Sequence, residues 1–239
     1  MPQGQEKSLN FSEAFNFAKD NIGKYFVILL LINLVYTLGP NAIAFLFKMI
    51  GLQPVGAILG GIASLLMVGG FMQVFVTVAE EGMPEISYLF QKPGFFLRFL
   101  LAGIIIGIGA ALGLLLLIVP GVIFILHTCF TFPLMVDRDC GAIEAIKLSS
   151  ELSKGTRLKL LGFGALVFLM LFFVTTVSVF IAAIPAVAMS FVMHFKPEDV
   201  GAFLGALINP FVMIPFQLLM ANCYLQLRNQ SLQTGHPQF

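Results

Sequence analysis

Five long stretches of the chain contain no charged side chain: residues 25–47, 55–79, 99–136, 160–195 and 201–227. Lys48, Glu80, Arg98, Asp137, Lys159, Lys196 and Arg228 stand just beyond their ends. An ionised group at the centre of a bilayer costs several kcal/mol, so this pattern predicts a chain embedded in a membrane. A helix of about 20 apolar residues crosses roughly 30 Å of hydrocarbon. Residues 25–47 and 55–78 therefore read as one span each. The 99–136 stretch is too long for one helix, and Pro120-Gly121 inside it is a turn signal. It reads as a hairpin, with one span ending near Val119 and a shorter one over 122–136. Residues 160–184, closed by Pro185, form a fifth span, and 201–227 a sixth. Backbone groups in lipid find no water to pair with, so the spans are helical. The expected fold class is all-α, a polytopic bundle of six transmembrane helices. The 239 residues leave room for this single integral membrane domain and no second one.

The polar gaps are unequal. One side of the six-span arrangement collects Lys7, Lys19, Lys24, Lys92, Arg98, Arg138, Lys147, Lys154, Arg157, Lys159 and Arg228, and the other holds only Lys48 and Lys196. The excess of Lys and Arg marks the cytoplasmic side, which places both termini there. Tyr25, Tyr88 and Tyr224 fall at the same interface as aromatic anchors.

The gaps on that side also carry helical periodicity. Phe11, Ala14, Phe15, Ala18 and Ile22 form one stripe ahead of the first span. Ala142, Ala145, Ile146, Ser149 and Leu152 form another ahead of the fifth. Asn10 with Glu13 suits a helix start, Gly141 takes the same place in the second stretch, and Gly23 and Gly155 suit helix ends. Such helices are expected to lie in the headgroup plane and turn upward into a span. Glu13 aligns with Glu144, Ala14 with Ala145, Ala18 with Ser149, and Asp20 with Glu151. A shorter segment, 84–90, precedes the third span. The layout predicts an internal repeat of helix-plus-hairpin units at 10–80, 84–136 and 141–228.

Ile118-Val-Pro-Gly-Val122, Phe132-Pro-Leu-Met-Val-Asp137 and Ala142-Ile-Glu-Ala-Ile-Lys-Leu-Ser149 together resemble a run in bacterial six-helix membrane proteins of the YciC-like type. The same type occurs as the membrane domain joined to some glycerophosphoryl diester phosphodiesterases. The likeness covers mainly residues 84–165. It implies a bacterial inner (cytoplasmic) membrane protein, and it carries over no catalytic residue, because the phosphodiesterase domain with its acidic metal ligands has no counterpart here.

Composition agrees with this picture. Hydrophobic residues make up 59% and charged residues 10% of the chain, against about a quarter charged in soluble domains. A net charge of +1 points to no nucleic acid partner. No cleavable signal peptide is evident, so the first helix is expected to stay as an anchor. Cys129, Cys140 and Cys223 are odd in number and read as buried apolar thiols. His127, His194 and His236 converge with no further ligands, so neither a metal nor a cofactor is expected. No nucleophile–base pair or carboxylate pair falls within the spans, so an enzyme is not expected.

The polar residues of the spans are Asn33, Gln73, His127, Asn209, Gln217 and Asn222. Amides of this kind hold helices together, and they also line polar paths. Asn209-Pro210 and Pro215 interrupt the last span. Prolines there make a simple kink, or the broken helix of a transporter site. Pro40 and Pro133 are further kink positions. Gly56/Gly60, Gly103/Gly107, Gly109/Gly113 and Gly201/Gly205 have the spacing of close helix contacts, internal or between subunits. The bulky 166–184 stretch is expected to face lipid.

The function expected is non-enzymatic: a membrane scaffold or accessory factor. It would touch membrane lipids, another membrane protein or a second copy in a homo-oligomer through Lys147, Lys154, Arg157 and Lys159. The alternative is a transporter or channel for an apolar or amphiphilic small molecule, with Asn209, Pro210, Pro215, Gln217 and Asn222 as hinge and polar pathway.

Overall fold

The computed structural model describes residues 9–91, 93–162 and 197–233, together with Gly164, Ala165, Leu169, Phe172, Phe173, Thr176, Val177 and Phe180. Among them are helices α1 (Phe11–Met49), α2 (Gln53–Ala79), α3 (Phe96–Leu116), α4 (Ile118–Thr128), α5 (Thr131–Asp137) and α6 (Ala142–Leu152). A further helix, α7, is described over 157–162, and α8 runs over Pro197–Gln233. Two 3₁₀ turns, Ile86–Phe90 and Pro93–Phe95, link α2 to α3. No strand occurs among the described residues. Five helical stretches are long and apolar enough to cross a membrane: Phe11–Met49, Gln53–Ala79, Pro93–Leu116, Val119–Asp137 and Leu204–Leu232. The span expected over 160–184, with Pro185 and His194, lies largely outside the described residues.

The amphipathic lead-in and the first span are one continuous helix, so Gly23 does not end it. That helix is nevertheless not straight. Asn10 pairs with Gln226 of α8, and Asn33 pairs with Gln217 of the same helix. At about 1.5 Å per residue, a straight α1 would hold positions 10 and 33 about 34 Å apart, while 217 and 226 are only about 13 Å apart. The helix therefore bends between the two points, and Gly23 is the one glycine there. Glycine is the weakest ordinary residue in a helix interior and a common site of kinks. Lead-in and span thus meet at a bend within one helix, where the sequence suggested a separate helix ended by Gly23.

The expected stripe buries Ala14 and Ala18 and continues through Tyr25, Leu29 and Ile32. Phe15 departs from it and is exposed. At the far end of α1 the chain reverses tightly. Leu52 N–H donates to Phe47 O and Gly51 N–H to Lys48 O, with Gly51 at φ +78°. That pairing satisfies the last carbonyls of α1 and needs a residue that tolerates positive φ. Gly56 and Gly60 then let α2 lie directly on α1: an added Cβ would stand 2.8 Å from Ala44 O and from Pro40 O, respectively. This small-residue pair is an internal seam.

The turn expected at Pro120-Gly121 falls three residues earlier. Leu117 alone is extended (φ −161°, ψ 141°), and α4 starts at Ile118. Pro120 sits in the first turn of α4, where its missing N–H leaves no intrahelical bond unmade. Gly121 is free to face Gly113 across the hairpin, where an added Cβ would meet the Gly121 Cα at 2.7 Å. Gly109 abuts the Phe124 ring in the same seam. Gly103 and Gly107 face no described atom within 4 Å.

Helix α4 stops at Thr128 and α5 begins at Thr131, two residues before Pro133. A proline cannot bond the carbonyl four residues back and crowds it, which accounts for the interruption at Cys129-Phe130. The segment expected to be an interfacial helix over 84–90 is instead a short 3₁₀ turn. It folds back along α2 until Tyr88 O and Leu89 Cα rest on Gly70, where no side chain fits. Leu89 is fully buried there.

Candidate functional site

Charged side chains gather at one end of the bundle, where α1 starts, α2 and α5 finish, α6 lies and α8 finishes. The centre of this end is a compact network. Arg228 Nη1 donates to Glu80 Oε1 at 2.9 Å and to Asp137 Oδ1 at 3.1 Å. The Tyr224 hydroxyl donates to Asp137 Oδ2 at 2.6 Å. Tyr224 and Arg228 are one helical turn apart and so share a face of α8. Arg228 and Asp137 are only 14% and 12% exposed, so solvent screens this pair little. The network ties the ends of α2, α5 and α8 together. A second link joins α3 to the loop after α5: Arg98 Nη1 meets Asp139 Oδ1 at 2.7 Å, with the guanidinium 5.0 Å from the Phe95 ring centroid. At the start of α1, Asn10 accepts from Glu13 N–H as a cap, while Gln226 bonds the Asn10 backbone through both its N–H and C=O.

Helix α6 packs against this end. Ala142, Ala145, Ser149 and Leu152 of its expected stripe are buried, with Leu148 added and Ile146 only half-buried. Its apolar face lies on the bundle, chiefly on α3, α4 and α5. Ser149 Oγ accepts the Phe130 N–H at 3.2 Å, filling one bond lost at the α4–α5 break. Cys140 is buried just ahead of α6. Burial, and then the carboxylate of Glu144, hold its thiol above the ordinary range.

The four basic residues singled out from sequence all belong to this region. Lys147, Lys154 and Lys159 are exposed, and Arg157 is half-buried. Ile143 and Leu158 project beside them, at 59% and 84% exposure. Gly155, at φ +89°, turns the chain from α6 into α7.

The residues proposed as hinge or pathway are dispersed along α8. The helix is continuous through Pro210 and Pro215. Asn209 is exposed and Pro210 buried. Gln217 and Asn33 exchange reciprocal amide bonds of 2.9 and 3.1 Å, and Asn33 also donates to Leu29 O. Asn222 accepts from Gln226 at 2.7 Å. The structure thus pairs Gln217 and Asn222 with separate partners and joins neither to Asn209. Beside Gln217 is a cavity of about 10 Å³, lined otherwise by Leu29, Phe71, Val74, Phe75, Val78 and Ala221.

The Glu80–Asp137–Arg228–Tyr224 network was not singled out in the sequence. Its one signal there was the one-turn spacing of Tyr224 and Arg228, together with two acids just past other span ends. Among the described residues, no three His, Cys, Asp or Glu side chains gather as a metal site requires. The described cysteines are free thiols. No family model, curated protein or solved structure matches the chain.

Proposed function

We propose that the chain is a non-enzymatic integral membrane protein whose charged end organises lipid or a partner membrane protein, as a scaffold or accessory factor. The observation that carries this is the placement of residues 142–161. Their apolar stripe is spent on the bundle, yet Lys147, Lys154 and Lys159 still project outward beside Ile143 and Leu158. Basic groups next to exposed apolar ones match the boundary between headgroups and acyl chains.

In this proposal the chain crosses six times, residues 160–184 supply the remaining span, and both termini are on the cytoplasmic side of a bacterial inner membrane. Support for an even count comes from Asn10 and Gln226 meeting at one end of the bundle. Units at 10–80, 84–136 and 141–228 would then be repeats. Ala14, Ala145 and Ser149 are fully buried and Ala18 nearly so, which supports a common register for the two lead-ins. The likeness to YciC-like proteins is of the same kind. The transporter alternative has less behind it. Gln217 and Asn222 are already bonded within the bundle, and a cavity of about 10 Å³ has room for about one water.

Reversing Lys147, Lys154 and Lys159 to Glu, with Arg157 kept, tests the proposal. Mass spectrometry of the purified complex is expected to show the cross-linked membrane partner, or the co-purifying anionic lipid, reduced severalfold. Unchanged recovery of both would remove its basis.

A further inference from the structure

Polar contacts of 2.7–3.4 Å bring five helix ends to one level: Arg98 to Asp139, Arg228 to Glu80 and Asp137, and Lys24 Nζ to Glu81 O. The Arg98–Asp139 pair is exposed, and an exposed ion pair belongs at the headgroups rather than among acyl chains. From that level the two described hairpins reach different distances. At about 1.5 Å per residue, α2 carries the chain about 40 Å from Glu80 to Gln53, and α1 about 37 Å from Lys24 to Met49. Helix α3 carries it only about 28 Å from Arg98 to Leu117, and any tilt shortens that reach. The hydrocarbon of a bilayer is roughly 30 Å thick, and about 40–45 Å with its headgroups. The α1–α2 turn is therefore able to clear the hydrocarbon, and the α3–α4 turn falls short.

The side chains agree with the lengths. Lys48 and Gln53 bracket the α1–α2 turn, whereas residues 99–126 hold no polar side chain at all. The α3–α4 turn thus has nothing to place among headgroups. Leu115, Leu116, Leu117 and Val119 stand there at 67–84% exposure, which is costly in water and not among acyl chains. The backbone suits hydrocarbon too, where polar groups must be paired internally. A single extended residue makes the turn, Leu117 N–H donates to Gly113 O at 3.1 Å, and Leu117 O accepts from Gly121 N–H at 3.5 Å. Pro120 brings no N–H to leave unpaired.

We propose that the α3–α4 hairpin enters from the charged end and turns back inside the hydrocarbon of the far leaflet, where lipid acyl chains cover its tip. Of the six passes proposed above, these two stop short of the far water, and both termini keep their side. A far-leaflet lipid beside the hairpin can lay its chains across Leu115, Leu116, Leu117 and Val119. The inference rests on the proposed placement of the charged end at the headgroups. It gives the lipid-organising role a second contact, with chains rather than headgroups, and at the opposite depth from Lys147, Lys154 and Lys159.

The test is the depth of spin labels, read by electron paramagnetic resonance on the full-length protein in vesicles of dioleoylphosphatidylcholine and dioleoylphosphatidylglycerol. One label is carried by Leu117→Cys and another, at the α1–α2 turn, by Leu52→Cys, with Cys129, Cys140 and Cys223 changed to Ala. If that background lacks wild-type helix content by circular dichroism, the native cysteines stay and their own signal is subtracted. Leu115→Cys serves if Leu117→Cys does not fold. Oxygen concentrates in hydrocarbon and a neutral nickel chelate stays in water, so the two relaxing agents report what surrounds each label. The label at 117 is expected to relax severalfold more with oxygen than with nickel, and the label at 52 the reverse. Nickel relaxation at 117 as strong as at 52 puts the turn in water and overturns the proposal. Weak relaxation by both agents at 117 means that protein covers the tip, and overturns it equally. If both labels respond to oxygen alone, the two turns share one depth, and the proposal falls together with the level assigned to the charged end. Reversing Lys147, Lys154 and Lys159 should leave the reading at 117 unchanged, so failure of the scaffold role and failure of this inference are told apart.

Discussion

The bundle is closed in two different ways. On one side, α1, α2 and α8 are joined by polar clasps: the Asn33–Gln217 amide pair, the Arg228 network and the grip of Gln226 on Asn10. On the other, no side-chain hydrogen bond joins α3 to α4 among the described residues, and the exposed Arg98–Asp139 pair ties α3 only to the loop after α5. The seam of this hairpin is backbone against backbone at Gly113 and Gly121, and α3 buries only Phe99 and Ala102. Leu97, Leu101, Ile104, Ile108, Leu112 and Leu115 turn outward. Lipid tails are as apolar as leucine, so burying leucine gives helices no reason to associate in a bilayer. What remains is close packing of small residues or hydrogen bonding, and each half of this molecule relies mainly on one of them. Polar clasps also fix register, which suits the half that bears the charged end.

The largest effect is expected from breaking a clasp. Asp137→Ala leaves the little-exposed Arg228 with only the half-exposed Glu80 and removes the acceptor of Tyr224. A loss of about 3 kcal/mol follows from stranding one partner of a largely buried pair. Thermal unfolding in detergent would measure it, and an unchanged midpoint would mean the network adds nothing to the polar-clasped half. Next is Gly113→Ala, whose Cβ can be seated only by moving α4 away, at about 2 kcal/mol. Gly107→Ala, facing open space on the same helix, is the control and should be neutral or slightly stabilising. If both behave alike, the hairpin is not sealed by its glycines. The smallest effect is expected inside the bundle. A double-mutant cycle of Asn33→Ala and Gln217→Ala should give a coupling of about 1 kcal/mol, in the range of amide pairs within membranes. A coupling of zero would make the register of α1 on α8 a matter of shape alone.

Much of this was legible in the pattern of apolar and charged residues. The positions of five spans, the stripe Ala142–Ala145–Ser149–Leu152 and the Gly56/Gly60 and Gly109/Gly113 seams all follow from periodicity or spacing, which are local properties. What periodicity does not carry is what covers a stripe. The α6 stripe packs on protein, where Ser149 takes up the Phe130 N–H at the α4–α5 break, a contact between positions 19 residues apart. The bend in α1 was equally hidden, since Gly23 permits either a stop or a bend and the choice is made by Gln217 and Gln226. Pro120 misled by its identity, for a proline is as much at home in the first turn of a helix as in a reverse turn. The charged network was least visible, because Glu80, Asp137 and Arg228 each look like an ordinary end-of-span charge until the fold brings them together.

The Asn33–Gln217 pair joins the first helix to the last, across 184 positions of chain. Ribosomes add about 5–20 residues per second, so Gln217 emerges roughly ten to forty seconds after Asn33. During that interval Asn33 enters the membrane with an amide whose eventual partner has not been made. Its N–H can bond Leu29 O within its own helix, but its Oδ1 waits for Gln217, and the clasp cannot shut before α8 is made. Assembly of this protein therefore has a natural last step, the docking of α8, and a premature stop anywhere before Gln217 leaves a polar group exposed by which the cell can recognise the unfinished chain.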